Sequence, residues 1–229
     1  MKIYLDIETL PTRDASVIAE IAKGVTPPGN ISKAETIAAW EAEKKPLAVA
    51  EAVKKTSFDG LYGSIACICW AYDDRVVERT NPNHSEPELL VDFFRDIEAM
   101  TMHKGDVQFV GHNIAGFDLP FLRHRAIIHG IKPPHALMRA MNAKPWGDTI
   151  ADTMLMWSSD RERRVSMDKL CRAFGIPGKG DFDGSMVADT WPVDPMKVID
   201  YCVEDVKRTR EIYKRMTFSN VAEHILEEA

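Results

Sequence analysis

The nine-residue run Ser64–Tyr72 (SIACICWAY) most constrains the fold of this chain. It carries no charge and shows no alternation, so it suits a buried strand. Asp73-Asp74 then makes a turn, and Arg75–Thr80 (RVVERT) is expected as the returning strand. An earlier strand is expected at Lys2–Glu8, with Ile3, Leu5 and Ile7 on one face and Tyr4, Asp6 and Glu8 on the other. Helical spacing marks Glu86–Met102, Phe117–His129, Ser166–Phe174 and Pro195–Met216, and a short strand is expected at Val107–Val110. A short terminal helix is expected over 218–228.

Between the first strand and Ser64 lie two helix-like stretches, Ala15–Ala22 and Lys33–Lys55. Ser32-Lys33-Ala34-Glu35 has the spacing of a capping box, and Pro46 breaks or bends the second stretch. The expectation is an α/β fold with a mixed central sheet flanked by helices. Residues 13–58 form a helical insertion, and the whole chain, 1–229, is a single domain.

Composition enters mainly as exclusion. With 29 basic and 35 acidic residues the net charge is −6, so no globally basic surface exists for duplex nucleic acid. A local patch remains compatible with nucleic-acid binding. The four cysteines Cys67, Cys69, Cys171 and Cys202 contain no CxxC pair, and they read as reduced, buried thiols. No apolar run reaches the roughly 20 residues of a membrane span. The first ten residues lack a signal-peptide layout, so a cytoplasmic location away from membranes is expected.

Three carboxylate motifs stand out. Asp6 and Glu8 share one face of the first strand, about 7 Å apart. Asp118 follows the turn Gly111-His112-Asn113 and Phe117, in the first turn of a helix. Tyr201 and Asp205 are one turn apart on the long helix, on the same face. Singly, each reads as a solvated strand face, a helix-dipole acid or a packed tyrosine. Asp148 and Asp152 form a further pair, on a helix face or with one ending a strand, taken as structural.

In this order, Asp6-Ile7-Glu8, Asn113 with Phe117-Asp118, and Tyr201 with Asp205 resemble the DEDD superfamily of 3′–5′ exonucleases, which have a ribonuclease H-like fold. The histidine branch has His five residues before the last Asp, where this chain has Asp200; the tyrosine branch has Tyr four before, which is Tyr201. The chain is similar to predicted exonucleases of phages and prophages related to the proofreading domain of family-B polymerases. Gly178-Lys179-Gly180-Asp181-Phe182-Asp183-Gly184 shares their character.

The resemblance implies two divalent cations, Mg²⁺ or Mn²⁺, held by Asp6, Glu8, Asp118 and Asp205. It implies that Asp6 bridges both, that Glu8 and Asp205 serve the ion acidifying the attacking water, and that Asp118 acts mainly through water on the other. Tyr201 would orient the attacking water. Ile7, Thr9, Leu10, His112, Asn113, Phe117 and Lys179 are expected at the substrate, with Leu10 as a wedge. Arg161, Arg163 and Arg164 are candidate phosphate contacts, and Trp40 and Trp146 candidate stacking residues.

The implied substrate is the 3′ end of single-stranded DNA, in a bacterial or phage-infected cell, with replication or repair proteins as partners. An exoribonuclease, a polymerase proofreading subunit and a silent binding module are the alternatives.

Overall fold

The computed structural model describes residues 1–144, 147–158 and 164–219. Among these residues, five strands form one mixed sheet: β1 (Lys2–Leu10), β2 (Ser64–Tyr72), β3 (Glu78–Arg79), β4 (Gln108–Gly111) and β5 (Ile150–Asp152). Their spatial order is β3-β2-β1-β4-β5. β1 pairs antiparallel with β2 and parallel with β4, and β4 pairs parallel with β5. The first strand is therefore central, with a neighbour locked on each edge.

Three helices separate β1 from β2: α1 (Ala15–Gly24), α2 (Ala34–Glu43) and α3 (Lys45–Lys55). This is the expected insertion. Pro46 falls in the first turn of α3, where its missing N–H is harmless, and the helix break comes at Lys44. Then follow α4 (Glu86–Thr101), α5 (Asp118–Ile128), α6 (His135–Met141), α7 (Thr153–Ser158), α8 (Met167–Phe174), α9 (Val187–Thr190) and α10 (Pro195–Met216).

The period of two along β1 divides the core. Ile3, Leu5 and Ile7 join Leu90, Phe93 and Ile97 of α4 and Phe121 and Leu122 of α5 on one face. Tyr4 and Leu10 join Val198, Tyr201, Cys202 and Val206 of α10 on the other. β2 serves both layers, with Ile68 and Trp70 facing α4 while Cys67 and Cys69 face α10. That double burial accounts for its uninterrupted apolar run. Asp6 lies opposite Cys69 and Glu8 opposite Cys67, and the register shifts between Glu8 and Thr9.

Several local expectations are corrected. Ser32–Glu35 makes no capping box: Lys33 is the N-cap of α2 and no side chain caps it. The capping box is at α4, where Ser85 Oγ bonds the Glu88 carboxylate at 2.7 Å and Glu88 also accepts the Ser85 N–H at 2.7 Å. The returning strand shrinks from Arg75–Thr80 to Glu78–Arg79. Of the two placements expected for Asp148 and Asp152, the strand end holds, since Asp152 ends β5. The helix expected over 218–228 falls largely outside the described residues, as do Trp146, Arg161 and Arg163. Among the described residues, no helix is long and apolar enough to cross a membrane.

Candidate active site

The central strand, the start of α5 and the middle of α10 meet at one cleft. Asp6 and Glu8 reach it from β1, half-buried, because period two puts both on the α10 side of the sheet. Asp205 reaches it from α10 and is only 3 % exposed. Carboxylate oxygens of Asp6, Glu8 and Asp205 lie within 4.8 Å of one another. Asp118 stands outside that trio. It is 3 % exposed at the first turn of α5, and its Oδ1 accepts the Ile7 N–H at 3.2 Å.

Burial and mutual repulsion dominate the electrostatics. Burial, then the charges of Asp205, Asp118 and Glu8, pushes the Asp6 carboxyl well above the usual range. Burial likewise raises Glu8. Burial pushes Asp118 up to about 7, against hydrogen bonds from its own backbone and Ile7 that lower it. Asp6 Oδ2 is buried without a hydrogen-bond partner. A buried, unpartnered carboxylate oxygen facing other carboxylates is costly unless a cation is bound there. The donor set is all oxygen, which suits a hard divalent cation held by Asp6, Glu8 and Asp205.

Two protein cations already touch the cage, both at Asp205. Lys179 Nζ donates to Asp205 Oδ2 and to Tyr201 Oη, both at 2.6 Å. Arg208, which spacing arguments passed over, donates to Asp205 Oδ1 at 2.7 Å. The same guanidinium donates to the carbonyls of Pro177 and Gly178, fastening the loop that carries Lys179. Phe182 of that loop packs edge-on against Tyr201, with ring centroids 5.0 Å apart. Burial and the neighbouring acids, Asp205 first, push the Tyr201 phenol well above its usual value, so it keeps its proton.

The remaining candidates divide. Asn113 takes a left-handed turn (φ 65°), and its N–H is accepted by Asp152 at 2.9 Å. Asp152 also accepts from Ala115 and Met154, so it fastens the strand-to-helix turn. Arg164 lines a cavity of about 260 Å³ with Asn113, Gly116 and Asp152. Both ring nitrogens of His112 are engaged within the protein, in contact with Thr153 Oγ1 and the Val165 carbonyl, each at 3.0 Å. Burial lowers its pKa, which favours the neutral ring.

Ile7 is buried on the α4 side and places its N–H, not its side chain, at the cleft. Leu10 is 7 % exposed within the α10 layer, and Trp40 is 8 % exposed, so neither presents a surface for wedging or stacking. The exposed ring nearby is Phe58, which packs edge-on against Phe117 at 6.4 Å. Beneath the cage, the Sγ atoms of Cys67, Cys69 and Cys202 lie within 4.8 Å of one another, and Cys202 Sγ reaches the Asp6 carbonyl at 3.4 Å.

This architecture is shared with a DNA polymerase domain. The chain is similar to the structure of the family B DNA polymerase from the hyperthermophilic archaeon Pyrobaculum calidifontis, with a TM-score of 0.58 and 15 % identity. The match covers 94 % of this chain and 24 % of that one, so the chain spans about a quarter of the polymerase. The ribonuclease H-like α/β fold is thereby established. A comparison with curated proteins finds no match. Residues 62–224 match the model of a family described as predicted 3′–5′ exonucleases related to the exonuclease domain of PolB, and the chain belongs to that family. The matched span holds Asp118, Tyr201 and Asp205; Asp6 and Glu8 precede it.

Proposed function

We propose that the chain is a metal-dependent 3′–5′ exonuclease of the tyrosine branch, acting on the 3′ end of single-stranded DNA. The carrying observation is the Asp6–Glu8–Asp205 trio, within 4.8 Å, with Asp6 Oδ2 buried and unpartnered. Asp6, Glu8 and Asp205 would hold one Mg²⁺ or Mn²⁺, and Asp6 with Asp118 a second. When bound, such a pair supplies charge neutralisation at the phosphate and a more acidic water.

The chain's own groups then position the reaction. Water attacks phosphorus and gives up its proton to solvent, the bond to the leaving 3′ oxygen breaks, that oxygen takes a proton from solvent, and a 5′-mononucleotide departs. Tyr201, held protonated, orients the water rather than deprotonating it. Lys179 holds Tyr201 and Asp205 together and brings a positive charge to the phosphate. Thr9, Asn113 and Phe117 border the strand-binding side.

The catalytic unit in this reading is all of 1–229 as one domain, with 13–58 as its insertion. Four free cysteines fit a reducing cytoplasm. A time course with 3′-labelled and 5′-labelled DNA and RNA, in Mg²⁺, Mn²⁺ or EDTA, tests it. Mononucleotide release from the 3′ label of DNA is expected with either metal, and none with EDTA or in Asp6→Ala. Activity retained in Asp6→Ala would sink the assignment, and preference for RNA would replace the substrate.

A further inference from the structure

The insertion ends in a feature that the catalytic reading leaves unused. Thr56–Phe58 forms a single 3₁₀ turn after α3. The turn is rigidly placed: Thr56 Oγ1 accepts the Thr12 N–H at 2.9 Å, and the Ser57 carbonyl accepts Thr9 Oγ1 at 2.7 Å. Yet Phe58 is 72 % exposed. A large apolar ring held in water on a fixed turn suits a stacking surface.

Its neighbours give the direction. Phe58 packs edge-on against Phe117, which precedes Asp118, and its turn is bonded to Thr9, which follows Glu8. Two carboxylates of the cleft thus lie one residue away from groups that touch this turn. Beside the ring, a cavity of about 230 Å³ is lined by residues that include Thr9, Glu51, Lys54, Lys55, Phe58 and Ser185. Lys54 pairs across it with Asp189 of α9 at 3.3 Å, an exposed pair that a phosphate can exchange for.

We infer that this groove between α3 and residues 184–188 is a subsite for the strand just upstream of its 3′ end. Phe58 stacks on one unpaired base, and Lys54 and Lys55 contact its phosphates. The inference rests on the exonuclease reading. Two lysines against one acid, Glu51, in the lining, and continuity with the residues of the acidic cleft, favour a nucleic-acid strand over a protein segment. Because Phe58 is exposed, its truncation leaves the fold intact.

The test compares wild type, Phe58→Ala and Phe58→Tyr on a single-stranded oligonucleotide. KM is expected to rise about tenfold in Phe58→Ala, kcat to change less, and Phe58→Tyr to restore KM. A 2-aminopurine is also walked through the last four nucleotides, with Ca²⁺ replacing Mg²⁺. Quenching at one upstream position, lost in Phe58→Ala and regained in Phe58→Tyr, is expected. Unchanged KM and quenching overturn the subsite. So does self-association that depends on Phe58 while strand binding does not. Wild-type hydrolysis of the p-nitrophenyl ester of thymidine 5′-monophosphate checks the catalytic reading separately. If wild type cleaves neither substrate, the exonuclease reading itself falls.

Discussion

The Lys179 ammonium and the Asp205 carboxylate are 2.6 Å apart, and the same ammonium donates to Tyr201 one helical turn away. One cation therefore sets the spacing of two groups of the cleft. It also adds a positive charge to a cage that should attract divalent ions. Lys179→Met separates these effects. We expect kcat to fall about 10- to 100-fold as Tyr201 loses its partner. Mn²⁺ affinity should rise several-fold as repulsion from the ammonium disappears. Calorimetric Mn²⁺ titration alongside kcat checks both, and a fall in affinity contradicts the electrostatic account.

Asp118 predicts a pH dependence. Its folded pKa, about 7, lies above the ordinary 3.8. The folded state thus binds the extra proton, and this contribution to stability is present at low pH and lost as pH rises from about 4 through 7. In EDTA, wild type should lose more Tm between pH 5 and pH 8 than Asp118→Asn does. Mn²⁺ should raise the wild-type Tm more at pH 8 than at pH 5. Parallel Tm profiles for the two proteins in EDTA would refute this.

A second buried charge cluster should matter for stability alone. Arg125 grips Glu86 through two hydrogen bonds, at 2.9 and 2.7 Å, and donates to the Gly60 carbonyl at 3.1 Å. Glu86 also accepts the Ile65 N–H at 2.8 Å, so it ties α4, α5 and the start of β2 together. Glu86→Ala strands a buried guanidinium and is expected to cost about 3–5 kcal/mol in urea unfolding. Although burial opposes it, bonding from Arg125 and His129 keeps the Glu86 carboxyl below its usual pKa. That contribution persists above the unfolded pKa and is lost as pH falls through the folded one. A loss under 1 kcal/mol for Glu86→Ala would show that the cluster is dispensable.

What was legible in the sequence follows from length and pattern. β2 and α10 carry nine and 22 residues of one unbroken pattern, and their observed bounds are the expected ones. β5 has three residues and α6 seven, too few for any period to declare itself. β5 exists because the β4 edge offers a parallel partner, which is tertiary information. Ser32 and Ser85 show the limit of motif spacing, since both begin a plausible capping box and only Ser85 closes one.

At the cleft, spacing put Asp6 with Glu8 and Tyr201 with Asp205, because a strand and a helix are short rulers. Arg208 sits three residues after Asp205, so its pairing was available to the same helical rule. Phe58 gave no local signal, because its exposure depends on how the insertion folds back on Thr9 and Thr12.

The register of β1 works as a parity check. Asp6 opposite Cys69 and Glu8 opposite Cys67 hold only if the even-numbered side chains of β1 face α10. A slip of one residue sends both acids into the layer of Phe93 and Phe121 and delivers Ile7 to the cleft. β2 and β4, gripping opposite edges of β1, make that error hard to commit. In the proposed reading, capture of cations would therefore certify a correctly paired sheet. In that reading, a chain whose first strand is out of phase would gather none and would leave nearby nucleic acid uncut.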